Sequence, residues 1–167
     1  VMTEDGGAAR PGVKALASVF LALTLALSIF RFLDADELEH VHSTWHVLHG
    51  AVPYVDFFQH HHPLLWYVLA PALAAAGESA STLVLFRLVF FVLTLAIAWA
   101  TYRFARECSA SREAAWLSVC LLLSMTTFVY VSIAIRPDVP QTLFGVLSAL
   151  YFTRMLRSER PRDAVLS

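Results

Sequence analysis

Charged residues are scarce in this sequence of 167 residues. They make up 15% of the chain, whereas hydrophobic residues make up 58% and the mean hydropathy is +0.64. A soluble domain usually carries about a quarter charged residues. The shortage of charge therefore argues against a soluble domain. The apolar excess predicts an all-α, polytopic membrane protein, whose apolar surface is covered by lipid.

Three other shortages narrow the range of functions. The net charge of −1 leaves no basic surplus for binding a nucleic-acid backbone, so we expect no nucleic-acid partner. The two cysteines lie in unlike surroundings, Cys108 in an arginine-rich stretch and Cys120 in an apolar run, and form no evident disulfide pair. A glycine-rich P-loop or Rossmann motif is also lacking, so the sequence does not support a soluble nucleotide-sugar site.

Long apolar runs, in contrast, are present. Four are long enough to cross about 30 Å of hydrocarbon at about 1.5 Å per residue: residues 13–32, 82–102, 113–135 and 139–156. Two shorter segments, residues 37–49 and 63–76, are predicted to be amphipathic or interfacial helices. The sequence thus predicts about four transmembrane helices in a membrane domain over residues 13–157, with cytoplasmic tails at residues 1–12 and 158–167.

The distribution of lysine and arginine predicts the topology. With a cytoplasmic N-terminus and four spans, nine of the 12 basic residues lie on the cytoplasmic side, as the positive-inside rule requires. This topology places the loop at residues 33–81 and the turn at residues 135–138 on the outer side. Because the loop carries all 7 histidines and a run of acidic residues, we expect any chemistry to occur there.

The acidic run directly follows the first span and contains Asp34, Asp36, Glu37 and Glu39. A carboxylate near an apolar boundary can act as a general base, because its pKa is raised and it can accept a proton from a hydroxyl group. The alternative is a solvated helix start, with Asp34 or Asp36 as the N-cap. Spacing alone favours this second interpretation.

Histidines occur in two groups within the outer loop. His42, His46 and His49 follow at helical spacing, where imidazoles three or four residues apart could share a metal ion or simply face water. His60, His61 and His62 precede Pro63. This second group could contact a phosphate or a divalent metal ion, or it could be an interfacial cap.

Two arginines are candidate phosphate ligands. Arg87 lies about six residues inside the second predicted span, where an unpaired charge costs roughly 2.5–3.5 kcal/mol. It would either face a polar cavity or extend to the headgroups. Arg136 lies close to Asp138 in the short outer turn. The two could form a local ion pair, or either could reach the cavity of the acidic loop.

These residues together resemble a known family. The run Asp34-Ala-Asp36-Glu37-Leu-Glu39-His40, the segment Gly50-x-x-Pro53-Tyr54-x-Asp56-Phe57-Phe58 and the segment His61-His62-Pro63-Leu64-Leu65 resemble the first outer loop of C-type membrane glycosyltransferases. The branch that they are most similar to contains protein O-mannosyltransferase-like and aminoarabinose-transferase-like proteins. Phe86-Arg87-Leu88 and Arg136-Pro137-Asp138 also fit that branch.

The resemblance implies a sugar transfer from a polyprenyl-phosphate donor to a protein or glycolipid acceptor. It implies that Asp36, with Glu37 beside it, is the catalytic base. Arg87, Arg136, Asp138 and the segment His60–His62 would then bind substrate, and a divalent metal ion is a candidate cofactor. The expected location is a bacterial inner membrane, with the active face outward.

Two further expectations accompany this interpretation. Members of that family have more spans than this sequence, so we expect the chain to be the N-terminal part of a longer protein. The alternative function is that of a non-enzymatic membrane protein, a metal-handling or accessory subunit that uses the outer histidines.

Overall fold

The computed structural model describes residues 9–158. Within this range the chain forms seven helices and no named strand, which confirms the all-α fold class. The helices are α1 (Pro11–Phe30), α2 (Ala35–Leu48), α3 (Leu64–Ala76), α4 (Ala80–Glu107), α5 (Arg112–Ser124), α6 (Thr126–Ser132) and α7 (Asp138–Ser158). Most of both predicted tails, residues 1–8 and 159–167, lies outside the described residues.

Two helices, α1 and α4, are long and apolar enough to cross a membrane. Helices α5 and α6 together form a third candidate, but they are bent by 74°. Helix α7 has 21 residues and is long enough to span a membrane, but it is not one of the candidate spans because it is less hydrophobic. The structure therefore supports two or three spans, and the fourth crossing stays a prediction.

The predicted span over residues 113–135 is not one continuous helix in the structure, because the helix breaks at Met125. This residue has extended backbone angles, φ −73° and ψ 110°, between two helical segments. The chain then turns back at residues 133–137 into α7. The break brings the end of α6 and the start of α7 to the same end of the molecule as α2.

Helices are present at both of the shorter predicted segments, as α2 and α3, and their interfacial position stays a prediction. Gly50 follows α2 with a φ of 87°, and Gly77 ends α3 with a φ of 82°, both in the left-handed region that glycine adopts without strain. Helices α2 and α3 pack against each other, with Trp66 of α3 fully buried.

Helix α4 is central to the bundle. It packs against α1, α5 and α7, and its buried Phe86, Phe90 and Ile97 form a core with Leu73 of α3 and Ile135. Helix α1 contacts its neighbours through small residues, Ala17, Thr24 and Ser28, while the rest of its surface exposes large apolar side chains. Small residues let helix backbones approach closely, and the exposed apolar surface suits contact with lipid.

Candidate functional site

The start of α2 is held by a capping box. The side chain of Asp34 accepts a hydrogen bond from the backbone N–H of Asp36 at 3.2 Å, and Glu37 Oε2 accepts one from the backbone N–H of Asp34 at 3.1 Å. This arrangement confirms that Asp34 is the N-cap, one of the two assignments that the sequence left open. The acidic run therefore forms the start of α2. The acidic residues that follow Asp34 have different surroundings from one another.

Glu37 is completely buried, and donors surround its carboxylate. Arg87 donates to it twice, from Nη2 at 2.6 Å and from Nε at 2.9 Å, and Arg31 Nη2 donates at 3.0 Å. The backbone N–H of Ile135 adds a fourth bond from outside α2, at 3.2 Å. Burial raises the pKa of Glu37, but the arginine and backbone donors outweigh burial, so its pKa is lowered overall. Glu37 is an ionised structural anchor here.

Arg87 uses the rest of its guanidinium on the backbone. Nη1 donates to the carbonyl oxygen of Arg31 at 2.7 Å, and Nη2 donates to that of Phe32 at 3.0 Å. Only 3% of the side chain is exposed. Arg87 therefore neither extends to the headgroups nor opens onto a cavity, the two alternatives considered for it. Instead it fastens the end of α1 and the start of α2 to α4.

Asp36, the neighbour of Glu37, is partly exposed and extends from the helix in a different direction. Its Oδ2 lies 2.8 Å from Nη1 of Arg136, and 40% of its side chain is exposed. Arg136 Nε lies 3.2 Å from Oδ2 of Asp138, so this arginine joins the start of α2 to the start of α7. The structure thus brings Asp36 together with two predicted site residues, Arg136 and Asp138, that lie about a hundred positions away in sequence.

A second cation and a phenol flank this cluster, and the sequence did not indicate either. Arg31 donates to the carbonyl oxygen of Tyr130 at 2.9 Å, and its guanidinium lies 4.6 Å from the centre of the Tyr130 ring. The Tyr130 hydroxyl donates to Asp34, which lowers the pKa of that carboxyl group. Tyr130 lies in an apolar run and Arg31 at a helix end, so neither carried a signal in the sequence.

The loop that carries His60, His61 and His62, here called the histidine loop, is fixed by a buried glutamine. Gln59 Nε2 donates to Glu39 Oε1 at 2.6 Å and to Ser43 at 3.1 Å, both on α2, while its Oε1 accepts from the backbone N–H of His60 at 2.9 Å. The ligand atoms of Glu39, His60 and His61 lie within 4.8 Å of one another. Two imidazoles and a carboxylate are ligands that zinc accepts, so these three residues could hold one divalent ion.

The remaining histidines have other surroundings. His62 is exposed and does not belong to that group of three. The rings of His42 and His46 lie 4.4 Å apart, and His46 stacks on Phe57 at 4.9 Å. The helical histidine stripe therefore packs against aromatic side chains, and within residues 9–158 it is not among the groups that could hold a metal ion.

His40 is buried on α2, one turn after Asp36. Its Nδ1 accepts a hydrogen bond from the indole N–H of Trp66 at 3.1 Å, which places the proton of the neutral ring on Nε2. This Nε2 has no hydrogen-bond partner among the described residues. Burial, with the nearby His61, lowers the pKa of His40 to about 4. His40 is therefore a neutral, buried side chain beneath the site.

Residues 60–167 match the family model described as dolichyl-phosphate-mannose-protein mannosyltransferase. This stretch covers about two thirds of the chain, from the histidine loop onward, and so includes Arg87, Arg136 and Asp138. Asp36 and Glu37 precede it. No curated protein and no solved structure matches the chain.

Proposed function

The chain belongs to the dolichyl-phosphate-mannose-protein mannosyltransferase family, and from this premise we propose that it transfers a sugar from a polyprenyl-phosphate donor to a hydroxyl acceptor. The family and the apolar helices make it an integral membrane glycosyltransferase of the C type. The proposed location is a bacterial inner membrane, with the site at the start of α2 facing outward. The acceptor is a protein or a glycolipid.

We assign the general base to Asp36, and the observation that carries this assignment is that its carboxylate is partly exposed beside Arg136, the proposed phosphate ligand. The carboxylate of Asp36 is partly exposed, whereas that of the neighbouring Glu37 is fully buried and accepts hydrogen bonds from several donors. A base needs access to the proton that it removes. Of the two carboxylates named from the sequence, Asp36 meets that requirement and Glu37 does not.

The proposed reaction is a displacement at the anomeric carbon. Asp36 accepts the proton of the acceptor hydroxyl while the acceptor oxygen bonds to the sugar. The bond from the sugar to the phosphate oxygen breaks, and the leaving group is the polyprenyl phosphate. Arg136 stabilises the negative charge that develops on this phosphate. Arg136 lies 2.8 Å from Asp36, so a donor phosphate that binds Arg136 would compete with Asp36 for it and release Asp36 to act as the base.

The polyprenyl chain of the donor has a candidate path. An apolar groove of about 370 Å³ runs along α1 and the bent pair α5–α6, with Phe20 and Leu23 on one wall and Leu123 and Val129 on the other. It also reaches Arg31, beside the acidic loop. A groove that leads from apolar side chains to a cation suits a lipid that ends in a phosphate.

The experiment that tests this function measures sugar transfer from a polyprenyl-phosphate donor in membranes that contain the protein. We expect Asp36→Asn to reduce transfer by at least about a hundredfold, since general bases contribute on the order of a hundred- to ten-thousandfold. Glu78→Gln is the control, because Glu78 is an exposed carboxylate of the same outer loop. Transfer by Asp36→Asn at the rate of this control would remove Asp36 as the base.

Arg136→Gln tests the phosphate assignment separately. We expect it to raise the KM for the donor as well as lower kcat, because a cation that binds the phosphate acts before and during its departure. An unchanged KM for the donor would assign Arg136 to positioning Asp36 alone.

A metal-handling role is the second candidate, and the grouping of Glu39, His60 and His61 supports it. Zinc binding by the protein, measured without a histidine tag, should weaken strongly in His61→Ala and hardly change in His62→Ala. If zinc binds and no sugar transfer is detected from any polyprenyl-phosphate donor, the non-enzymatic function is favoured. If chelation abolishes transfer, the ion is a cofactor of the transferase.

A further inference from the structure

The apolar groove between α1 and the bent pair α5–α6 has one polar end. Along α1 its lining runs from Phe20 to Arg31, eleven positions apart, which corresponds to roughly 16 Å along a helix. That length is close to one leaflet of the hydrocarbon layer, about 15 Å. Arg31 and Tyr130 lie together at the end of the groove next to the acidic loop. The groove therefore suits one lipid chain whose headgroup lies at Arg31 and Tyr130.

Tyr130 is held at this end through its backbone, its ring and its hydroxyl group. Arg31 Nη1 donates to the carbonyl oxygen of Tyr130 at 2.9 Å, and the guanidinium lies 4.6 Å from the centre of the ring. The hydroxyl group donates to Oδ2 of Asp34, the N-cap of α2. Tyr130 is nevertheless 46% exposed and lines the groove, so a ligand there can reach its side chain. The Tyr130 hydroxyl group thus joins the groove to the candidate site.

The carboxylate of Asp34 lies among groups that would also bind a phosphate. The hydrogen bond from the Tyr130 hydroxyl group lowers the pKa of Asp34 most, and the nearby charges of Arg31 and Arg136 lower it further. Two guanidinium groups and a hydroxyl donor around one anion are the chemistry that recognises a phosphate group. Asp34 therefore holds a position that suits a phosphate oxygen.

Arg31 can bind a phosphate without giving up its protein partners. Its Nη2 donates to Glu37 at 3.0 Å, and the same carboxylate accepts two bonds from Arg87, so two guanidinium groups share one negative charge. Among the residues that the structure describes, the bonds to Glu37 and to the Tyr130 carbonyl use two of the five N–H groups that a guanidinium carries. Arg31 therefore retains donors for a further anion.

We propose that Tyr130 and Arg31 bind the phosphate of the polyprenyl-phosphate donor, and that this phosphate displaces Asp34 from the Tyr130 hydroxyl group. The lipid chain lies in the groove, and the phosphate lies between Arg31 and Arg136, beside Asp36. Asp34 remains the N-cap of α2 after this exchange, because its Oδ1 accepts the bond from the backbone N–H of Asp36 while Oδ2 holds the hydroxyl group. The inference rests on the proposed function for the identity of the lipid, and it makes Tyr130 a residue that selects a phosphorylated lipid.

The test measures the binding of a polyprenyl phosphate and of the polyprenol that lacks the phosphate, by native mass spectrometry of the full chain in detergent micelles. Tyr130→Phe removes only the hydroxyl group. We expect it to weaken binding of the polyprenyl phosphate about tenfold, the lower end for a hydrogen bond to a charged group, and to leave polyprenol binding unchanged. Tyr67→Phe is the matched control, because Tyr67 is also about half exposed but lies on α3, outside the groove.

Asp34→Asn tests the displacement through a change of the opposite sign. Asparagine is also a favoured N-cap, so α2 keeps its start, while the negative charge that competes with the phosphate is lost. We expect this variant to bind the polyprenyl phosphate at least about threefold more tightly, because a unit charge at short range in water contributes on that order. A purely structural contact would not strengthen lipid binding when it is removed.

The results that would overturn the inference differ from those that would overturn the proposed function. Equal affinity of Tyr130→Phe and Tyr67→Phe for the polyprenyl phosphate, or an equal loss of polyprenyl phosphate and polyprenol, would exclude Tyr130 as a phosphate ligand. Unchanged or weaker binding by Asp34→Asn would exclude the displacement. If Tyr130→Phe loses the lipid phosphate but the wild type transfers no sugar, the phosphate site stands and the proposed transfer fails. If the wild type transfers sugar and Tyr130→Phe keeps the same KM for the donor, the transfer stands and the inference fails.

Discussion

The buried carboxylate of Glu37 offers the sharpest test of the structure, through the variant Glu37→Gln. Glutamine has nearly the same shape, so the change removes the charge and replaces one acceptor oxygen with an NH₂ group. Arg87 Nη2 and Arg31 Nη2 both donate to Oε2, while Arg87 Nε and the Ile135 N–H donate to Oε1. Whichever carboxylate oxygen the glutamine amide oxygen replaces, its NH₂ group takes the place of the other oxygen. That NH₂ group then faces N–H donors that have lost their acceptor.

The expected cost follows from what remains buried. Only 3% of the Arg87 side chain is exposed, so its charge loses its carboxylate partner without gaining water. Breaking a buried ion pair by removing one partner costs about 3–5 kcal/mol. We therefore expect Glu37→Gln to lower the free energy of unfolding by that amount. Glu78→Gln, an exposed change, should lower it by less than about 0.5 kcal/mol.

The assay is unfolding in mild detergent micelles by added sodium dodecyl sulfate, followed by tryptophan fluorescence. The pH dependence provides an internal check. The folded-state pKa of Glu37 lies below its ordinary value of 4.5, so its stabilisation is fully present above that value and is lost as the pH falls through the folded pKa. The difference between wild type and Glu37→Gln should therefore be constant near neutral pH and shrink below about pH 4.5.

A double variant separates the energy of the ion pair from the cost of altering each side chain by itself. Glu37→Leu and Arg87→Met together should cost at least about 1 kcal/mol less than the sum of the two single changes, because contacting residues are coupled. Additive costs, or a loss from Glu37→Gln no larger than that from Glu78→Gln, would refute the view that this pair anchors the site.

Two further predictions concern pH and topology. Since the pKa of His40 is lowered from 6.5 to about 4, stability should fall by about 2 kcal/mol between pH 7 and pH 5, as the unfolded chain takes up the proton first. His40→Asn should remove most of this slope, whereas exposed His62→Asn should keep it; equal slopes in all three proteins would contradict the burial of His40. For topology, a membrane-impermeant thiol reagent should label a Val55→Cys variant from outside intact cells, whereas it should label Cys108 only after the membrane is opened. The other cysteine, Cys120, is buried and should not contribute to the labelling. Labelling of both from one side would show that the chain between them crosses the membrane an even number of times.

The parts of the fold that could be predicted are those with local causes. Helix α2 follows from the capping box at Asp34 and from apolar spacing, and its end follows from Gly50. The length of α3 follows from Pro63 at its start and Gly77 at its end. The break at Met125 had no such signal, because methionine favours helix and the run around it is apolar. That bend depends on how the helices pack.

In the candidate site, too, some contacts could be predicted from the sequence and others could not. Sequence reasoning grouped Asp36, Arg136 and Asp138 through topology, since it placed the acidic loop and the turn on one face, and the structure brings them together. It placed Arg87 inside a span as a candidate phosphate ligand and named no protein partner for it. Its partner, Glu37, lies fifty positions away and had been assigned to catalysis, and nothing in one sequence pairs two such residues.

The contrast between Asp36 and Glu37 follows from helix geometry. Successive residues of an α-helix point about 100° apart, so two adjacent carboxylates at the start of α2 cannot share one environment. One meets Arg87 in the core, and the other meets Arg136 at the surface. If this division of roles is correct, Asp36→Asn should lose sugar transfer while its free energy of unfolding falls by less than about 1 kcal/mol, because exposed ion pairs contribute about 0–1 kcal/mol. Glu37→Gln should lose transfer only in proportion to its loss of folded protein. A folded Glu37→Gln protein without activity would instead give Glu37 a direct part in the reaction.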